Sequence, residues 1–151
     1  MWIAKNNDLI ILAKNSREDL ENQLQGMVYT SIEETETRYE LYNGQYLTPE
    51  EITVKERQRL DALTLTPADV ERALYKEKQM DFEDLKALIA QQLPTVDTKA
   101  LSIEFRAKDF FRGAMYGHMR LFDVVGALLG YTPQDMDYLF ENKELPNGRL
   151  D

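Results

Sequence analysis

The chain carries a single histidine, His118, and no cysteine. Histidine-based metal centres take two or more imidazoles, so His118 cannot found one. It could serve as a general base. Following Gly113 and Gly117 in what reads as a loop, it is better explained as a solvated or capping residue. Without cysteine there are no disulfides, thiolate nucleophiles, Fe–S clusters or Cys-type zinc sites. Carboxylates are abundant, so pairs arise by chance. Asp135 and Asp137 stand two apart on an expected helix, on different sides of it, which is poor for chelation. Glu33, Glu34 and Glu36 could offer oxygens to Ca²⁺ or Mg²⁺, but the spacing of a calcium loop is missing. Asp123 opens an otherwise apolar helix. It is either an early-turn acid or a buried one paired with Arg106, Arg112 or Arg120, and a perturbed catalytic acid is the sharper alternative. No GxSxG elbow, GxGxxG turn or P-loop occurs. The expectation is therefore no catalytic residue, no metal site and no cofactor, in a protein that acts by binding another macromolecule.

The residues best suited to binding lie near the N-terminus. Tyr29, Tyr39, Tyr42 and Tyr46 fall close together, with Glu33, Glu34 and Glu36 among them. They read either as half-buried strand residues or as an exposed recognition face, since tyrosine is favoured at interfaces. These seven form the candidate protein-binding set.

Charge narrows the partner. Formal net charge is −9. Residues 1–62 hold 12 acids and 7 bases, and residues 63–151 hold 15 and 11, so the excess is spread along the chain. Neutralising phosphates needs clustered Lys and Arg, which argues against direct nucleic-acid binding and against an anionic membrane surface. Residues 105–112 do interleave basic groups with Phe105, Phe110 and Phe111. Their periodicity is expected to turn the aromatics into a core and leave the bases at its edge. Mimicry of nucleic acid would require the carboxylates to form a one-sided stripe.

A chain of 151 residues with 43% apolar and 30% charged residues suits one domain, or a compact core with a small appendage. No run reaches the roughly 18 apolar residues of a membrane span. The first residues lack the pattern of a secretory signal, and the expected location is the cytoplasm. Trp2-Ile3-Ala4 and Leu9-Ile10-Ile11-Leu12 flank a turn at Asn6-Asn7-Asp8 and predict a hairpin. Ser16 predicts the cap of a short helix through Leu20 and Leu24, stopped at Gly26. Residues 27–32 predict a strand and residues 33–36 an exposed acidic connection. Asn43-Gly44 predicts a two-residue hairpin turn, with Tyr42 opposite Gln45, Leu41 opposite Tyr46, and Tyr39, Leu41 and Tyr46 on one face.

The remainder reads as helical. Thr48-Pro49-Glu50-Glu51, Thr66-Pro67-Ala68-Asp69 and Thr132-Pro133-Gln134-Asp135 each combine a capping threonine, a first-turn proline and an acid at the capping-box position. Helices are expected near 49–62, 67–78, 82–93, 98–112, 119–129 and 133–142, with Asp81 and Asp97 as further caps. The first is polar enough to be an exposed connector. Phe82, Leu85 and Ile89 form one apolar stripe, and Ile103, Ala107, Phe110 and Ala114 a second. Phe122, Val125, Gly126 and Leu129 form a third, widened by Leu121, Val124 and Leu128, which places that helix at the bundle centre. Gly126 would let a neighbouring helix approach closely. The expected fold class is α+β: a β-rich lobe over residues 1–47 with one short helix, a connector helix over 48–64, and a helical domain over 65–151.

The run Tyr42-Asn43-Gly44-Gln45-Tyr46-Leu47-Thr48-Pro49-Glu50-Glu51 leads into a helix with Lys55-Glu56-Arg57, then Leu63-Thr64-Leu65-Thr66. The bundle closes with Leu129-Gly130-Tyr131-Thr132-Pro133-Gln134-Asp135-Met136-Asp137-Tyr138-Leu139-Phe140. Over residues 40–142 this layout resembles small bacteriophage and prophage proteins encoded near tail genes. The resemblance brings no catalytic residues. It implies a phage product in the host cytoplasm with a structural, assembly or host-interaction role. The leading expectation is a non-enzymatic accessory protein that binds a phage structural protein, possible in tail assembly, through the β lobe. The alternative is an acidic inhibitor of a host nuclease or defence effector, acting as a DNA mimic or in the manner of an anti-CRISPR protein.

Overall fold

The computed structural model describes residues 1–99, 103, 106 and 108–147. The fold is α+β, with strands concentrated at the N-terminal end and helices after them. The chain divides into two compact units, Met1–Arg57 and Gln58–Asp151, and the division falls inside a helix.

In the first unit, β1 (Trp2–Asn6) and β2 (Leu9–Lys14) form the expected hairpin. Its turn is possible because Asn7 takes a left-handed conformation, φ 57°, which asparagine tolerates. Helix α1 (Arg17–Gln23) starts where Ser16 Oγ accepts the Asp19 N–H at 3.2 Å. Strand β3 (Ser31–Glu34) adds to the other side of β1, giving the order β2-β1-β3. Strands β4 (Glu40–Tyr42) and β5 (Gln45–Leu47) pair around Asn43-Gly44 in the expected register. Both turn residues have positive φ, 48° and 81°, as a primed hairpin turn demands. A small core of Ala4, Leu12, Leu20 and Leu24 is covered by Trp2, Ile11, Ile32 and Tyr46.

The strand expected at 27–32 is displaced. Met27, Val28 and Tyr29 belong to no ladder, while Glu33 and Glu34, expected in a connection, lie in β3. The register explains this. Ile32 must sit opposite Ala4 to reach the core, which centres the strand on Ile32 and leaves the three preceding apolar residues outside.

Helix α2 (Pro49–Asp61) buries no residue, in keeping with its polar sequence. In the second unit β6 (Thr64–Leu65) precedes α3 (Pro67–Lys78) and α4 (Phe82–Gln92). Later come β7 (Phe110–Phe111), the hairpin of β8 (Met115–Tyr116) and β9 (Met119–Arg120), then α5 (Leu121–Leu128) and α6 (Pro133–Asn142). Reciprocal capping boxes open α3 and α6 at Thr66/Asp69 and Thr132/Asp135, and a third opens α4 at Asp81/Asp84. Thr48 and Glu51 make the same exchange at α2. Gly130 ends the α5 segment at φ 84°. The stripe of Phe82, Leu85 and Ile89 is buried as expected, as are Phe122, Val125 and Leu129. A Cβ at Gly126 would lie 2.9 Å from Met136 Cγ, so glycine permits the close approach of α5 and α6.

Two helix expectations are corrected. Thr98, Lys99, Ile103 and Arg106 are helical, but Phe110–Phe111 is a strand paired with β6, and the ladder continues as Arg112 N–H donates to the Leu63 carbonyl. The stripe from Ile103 to Ala114 therefore does not exist: Ile103 is 59% exposed, Phe110 is buried from a strand, and Ala107 lies outside the described residues, as does Phe105. The 119–129 helix begins only at Leu121, because Met119–Arg120 folds back on Met115–Tyr116 around Gly117 at φ 63°. Non-local pairing here overrides an apolar period that suited a helix.

No described helix is long and apolar enough to cross a membrane. One cap yields a pH prediction. Partial burial pushes the Asp69 carboxyl up, but hydrogen bonds from Arg72 and Thr66 and the charge of Lys143 outweigh it and hold it below the ordinary 3.8. A depressed carboxyl stabilises the fold above its unfolded value, and that contribution disappears as pH falls through the folded value. Solvent screening keeps it below about 1 kcal/mol. Urea unfolding over a pH series should show Asp69→Asn less stable than wild type near neutrality, with the gap closing in acid.

Candidate functional site

The seven candidate residues do not form one face. Tyr42 donates its hydroxyl to Glu56 Oε2 at 2.6 Å. Tyr46 packs on the small core, directly across the hairpin from Leu41. Tyr39 is half-buried, and its N–H lies 3.2 Å from Met1 Sδ. Glu33 is paired with Lys5 at 2.7 Å, and this hydrogen bond is the main reason Lys5 lies above its ordinary 10.5. Tyr29 stands apart, 46% exposed, after Met27 at 42% and Val28 at 78%. Glu34 and Glu36 are exposed and meet no cation among the described residues. Tyr29, Glu34 and Glu36 thus remain exposed, while the others make contacts within the lobe.

A second surface, in the other unit, was not visible from sequence. Along β7 the chain alternates: Phe110 is 6% exposed, Phe111 54% and Arg112 1%. Arg112 is drawn inward by two carboxylates. Its Nε donates to Asp137 Oδ1 at 2.7 Å, and its Nη2 donates to Asp123 Oδ1 at 2.6 Å and to the Pro133 carbonyl at 3.1 Å. Nη1 is buried and meets no hydrogen-bond partner among the described residues. The strand period of two then forces Phe111 outward. At the far end of the hairpin, Arg120 binds Asp61 through two bonds, at 3.1 and 2.8 Å, and Leu121 N–H donates to the Ala114 carbonyl. Held at both ends, the hairpin presents Met115 and Met119, 58% and 57% exposed, with Tyr116 at 43%. A cleft of about 370 Å³ runs between Lys108, Asp109, Phe111, Met115 and Tyr116. The available signal was Gly113 and Gly117, four apart in an apolar run.

The chemistry-bearing residues resolve into structural roles. Asp123 is a partly buried acid in the first turn of α5, paired with Arg112. Asp135 caps α6, and Asp137 completes the arginine cage. His118 lies exposed in the β8–β9 turn. No group of three or more His, Asp or Glu among the described residues could hold a metal ion. A cavity of about 20 Å³ within the core is lined only by apolar side chains, Val70, Phe82, Phe122 and Met136 among them. It is about one water in size and offers no hydrogen bond, so it is a packing void.

No protein-family model matches the chain, and no curated protein and no solved structure matches it significantly.

Proposed function

We propose that the protein is a non-enzymatic phage or prophage accessory protein whose partner is a phage structural protein, a tail component in the first instance. The observation that carries protein binding is the anchored hairpin with Met115, Tyr116 and Met119 exposed, and the cleft that Met115 and Tyr116 line together with exposed Phe111. Three large apolar side chains exposed on a short, fixed hairpin, with Phe111 exposed on neighbouring β7, lose apolar hydration only when something covers them. Methionine adds adaptable, polarisable contact. The phage setting rests on the resemblance of the layout of residues 40–142 to that of tail-linked phage proteins.

The test uses purified tail and baseplate proteins of the phage or prophage that encodes the chain. One of them should bind, and Met115→Glu with Met119→Glu should weaken binding about thirtyfold, the ~2 kcal/mol typical of an interface hot spot. Both side chains are exposed, so the circular dichroism of the variant should match wild type. Unchanged affinity in the variant would remove the hairpin from this reading. Failure of every virion component to bind would remove the assembly role.

A further inference from the structure

Among the described residues the sheet of the first unit ends on β3, which pairs with β1 on one side and with no described strand on the other. Its outward groups follow from the register. Met1 and Thr35 exchange hydrogen bonds, 3.1 Å from the Met1 amino group to the Thr35 carbonyl and 2.8 Å in return. Bonded and non-bonded pairs alternate in an antiparallel ladder. With Trp2 opposite Glu34 and Ala4 opposite Ile32, those two pairs are the non-bonded ones. The backbone N–H and C=O of Ile32 and Glu34 therefore point away from β1, into the open edge.

Natural edges of this kind are blunted by charge, and Glu34 does part of that here. The residues leading into the edge do the opposite. Met27, Val28 and Tyr29 are three consecutive exposed apolar residues outside any ladder. Such a run is a fault in a free surface unless something binds it. Pairing stops just after them, where the Thr30 N–H and hydroxyl both donate to the Lys5 carbonyl.

From these observations we infer that the β3 edge accepts an extended segment of a basic partner, added as a further strand, with its apolar residues on Met27-Val28-Tyr29 and its Lys or Arg residues beside Glu34 and Glu36. Strand addition draws affinity from the backbone and specificity from alternate side chains. Charge selects the partner. Glu34 and Glu36 have no cation among the described residues, and the chain as a whole carries −9. The same charges disfavour a second copy of this chain, because two β3 edges brought together would set glutamates side by side. This edge belongs to a different unit from the Met115–Met119 hairpin. The inference shares with the proposed function the premise that the chain binds protein, and it does not depend on that hairpin.

The probe is a short synthetic peptide that alternates lysine with valine, titrated into the full-length protein beside a counterpart with glutamate in place of lysine. The lysine peptide should bind saturably and the glutamate peptide should not. Amide exchange should slow at Ile32 and Glu34. Raising the salt should weaken binding. Glu34→Pro removes an outward N–H without touching the β1 ladder, and should raise the lysine peptide's Kd about tenfold or more. Glu34→Lys with Glu36→Lys should reverse the preference between the two peptides. The Met115→Glu, Met119→Glu variant should bind the lysine peptide as wild type does, which separates this surface from the hairpin. Equal binding of the two peptides, no saturable binding, protection away from β3, or dimerisation through this edge would each overturn the inference.

Discussion

Replacing Arg112 with methionine should destabilise the helical unit by about 3–5 kcal/mol, the usual cost of removing one partner from a buried ionic group. Arg112 is 1% exposed, and its two carboxylate partners have side chains only 18% and 19% exposed. The guanidinium holds both through separate nitrogens and also reaches the Pro133 carbonyl. Without it, two nearby carboxylates remain poorly solvated and repel each other. Lysine should not rescue, because one ammonium cannot reproduce the fork that bonds Asp123 and Asp137 together. Replacing all three residues with apolar side chains of similar volume should recover most of the loss, since the desolvation penalty then disappears with the charge. Urea unfolding followed by far-ultraviolet circular dichroism measures these effects. If Arg112→Met unfolds at the wild-type midpoint, the cluster contributes nothing to stability. The cluster also has a use at the surface. By fixing Arg112 inward it fixes Phe111 outward, so a folded Arg112 variant should also bind a hairpin-directed partner less well.

Which parts of this arrangement could be read from the residues depends on the range of the forces that set them. Capping is local. A threonine, a proline and an acid three residues on from the threonine suffice to start α2, α3 and α6, and Asn43-Gly44 suffices to turn β4 into β5. The stripe of Phe82, Leu85 and Ile89 is equally local, because one helix repeats it. The segment from Phe110 to Arg120 is different. Its strands are two residues long, too short to show a period of two, and β7 finds its partner at Thr64–Leu65, far back in the chain. Phe110, Phe111 and the apolar residues around them therefore mimicked a helix. The candidate set was legible only in part, for a related reason. Tyrosine content marked the lobe, but only the register of β3 on β1 and the bond from Tyr42 to Glu56 decide which tyrosines remain available. Asp123 is intermediate: an acid at an apolar helix start reads either as an early-turn acid or as a buried one paired with one of three arginines, and only the fold shows it in the first turn, partly buried and paired with Arg112.

Phe122→Ala should cost a similar amount, about 3–5 kcal/mol, by a different mechanism. Phe122 is 3% exposed and stands between two rings, edge-to-face with Phe110 at 5.3 Å and with Phe140 at 4.9 Å. It thus joins β7, α5 and α6 through one side chain. Truncation removes both ring contacts, each worth about 0.5–1.5 kcal/mol beyond area burial. It also opens the space of a phenyl ring beside the existing void of about 20 Å³. The walls are apolar, so water gains little by entering, and the new cavity should stay dry. Two outcomes then separate cavity from collapse. If the walls hold, benzene should raise the melting temperature of Phe122→Ala and leave wild type unchanged, because binding to the folded state alone stabilises it. If the helices close over the gap, benzene should have no effect and the loss should fall toward the lower end of the range. Trp2, the single tryptophan, lies in the other unit, so its fluorescence follows the β lobe while circular dichroism follows the helices. Coincident transitions in the variant would make the two units one cooperative system. A helical transition shifted ahead of the tryptophan signal would make the β lobe, with its open β3 edge, stable without its neighbour.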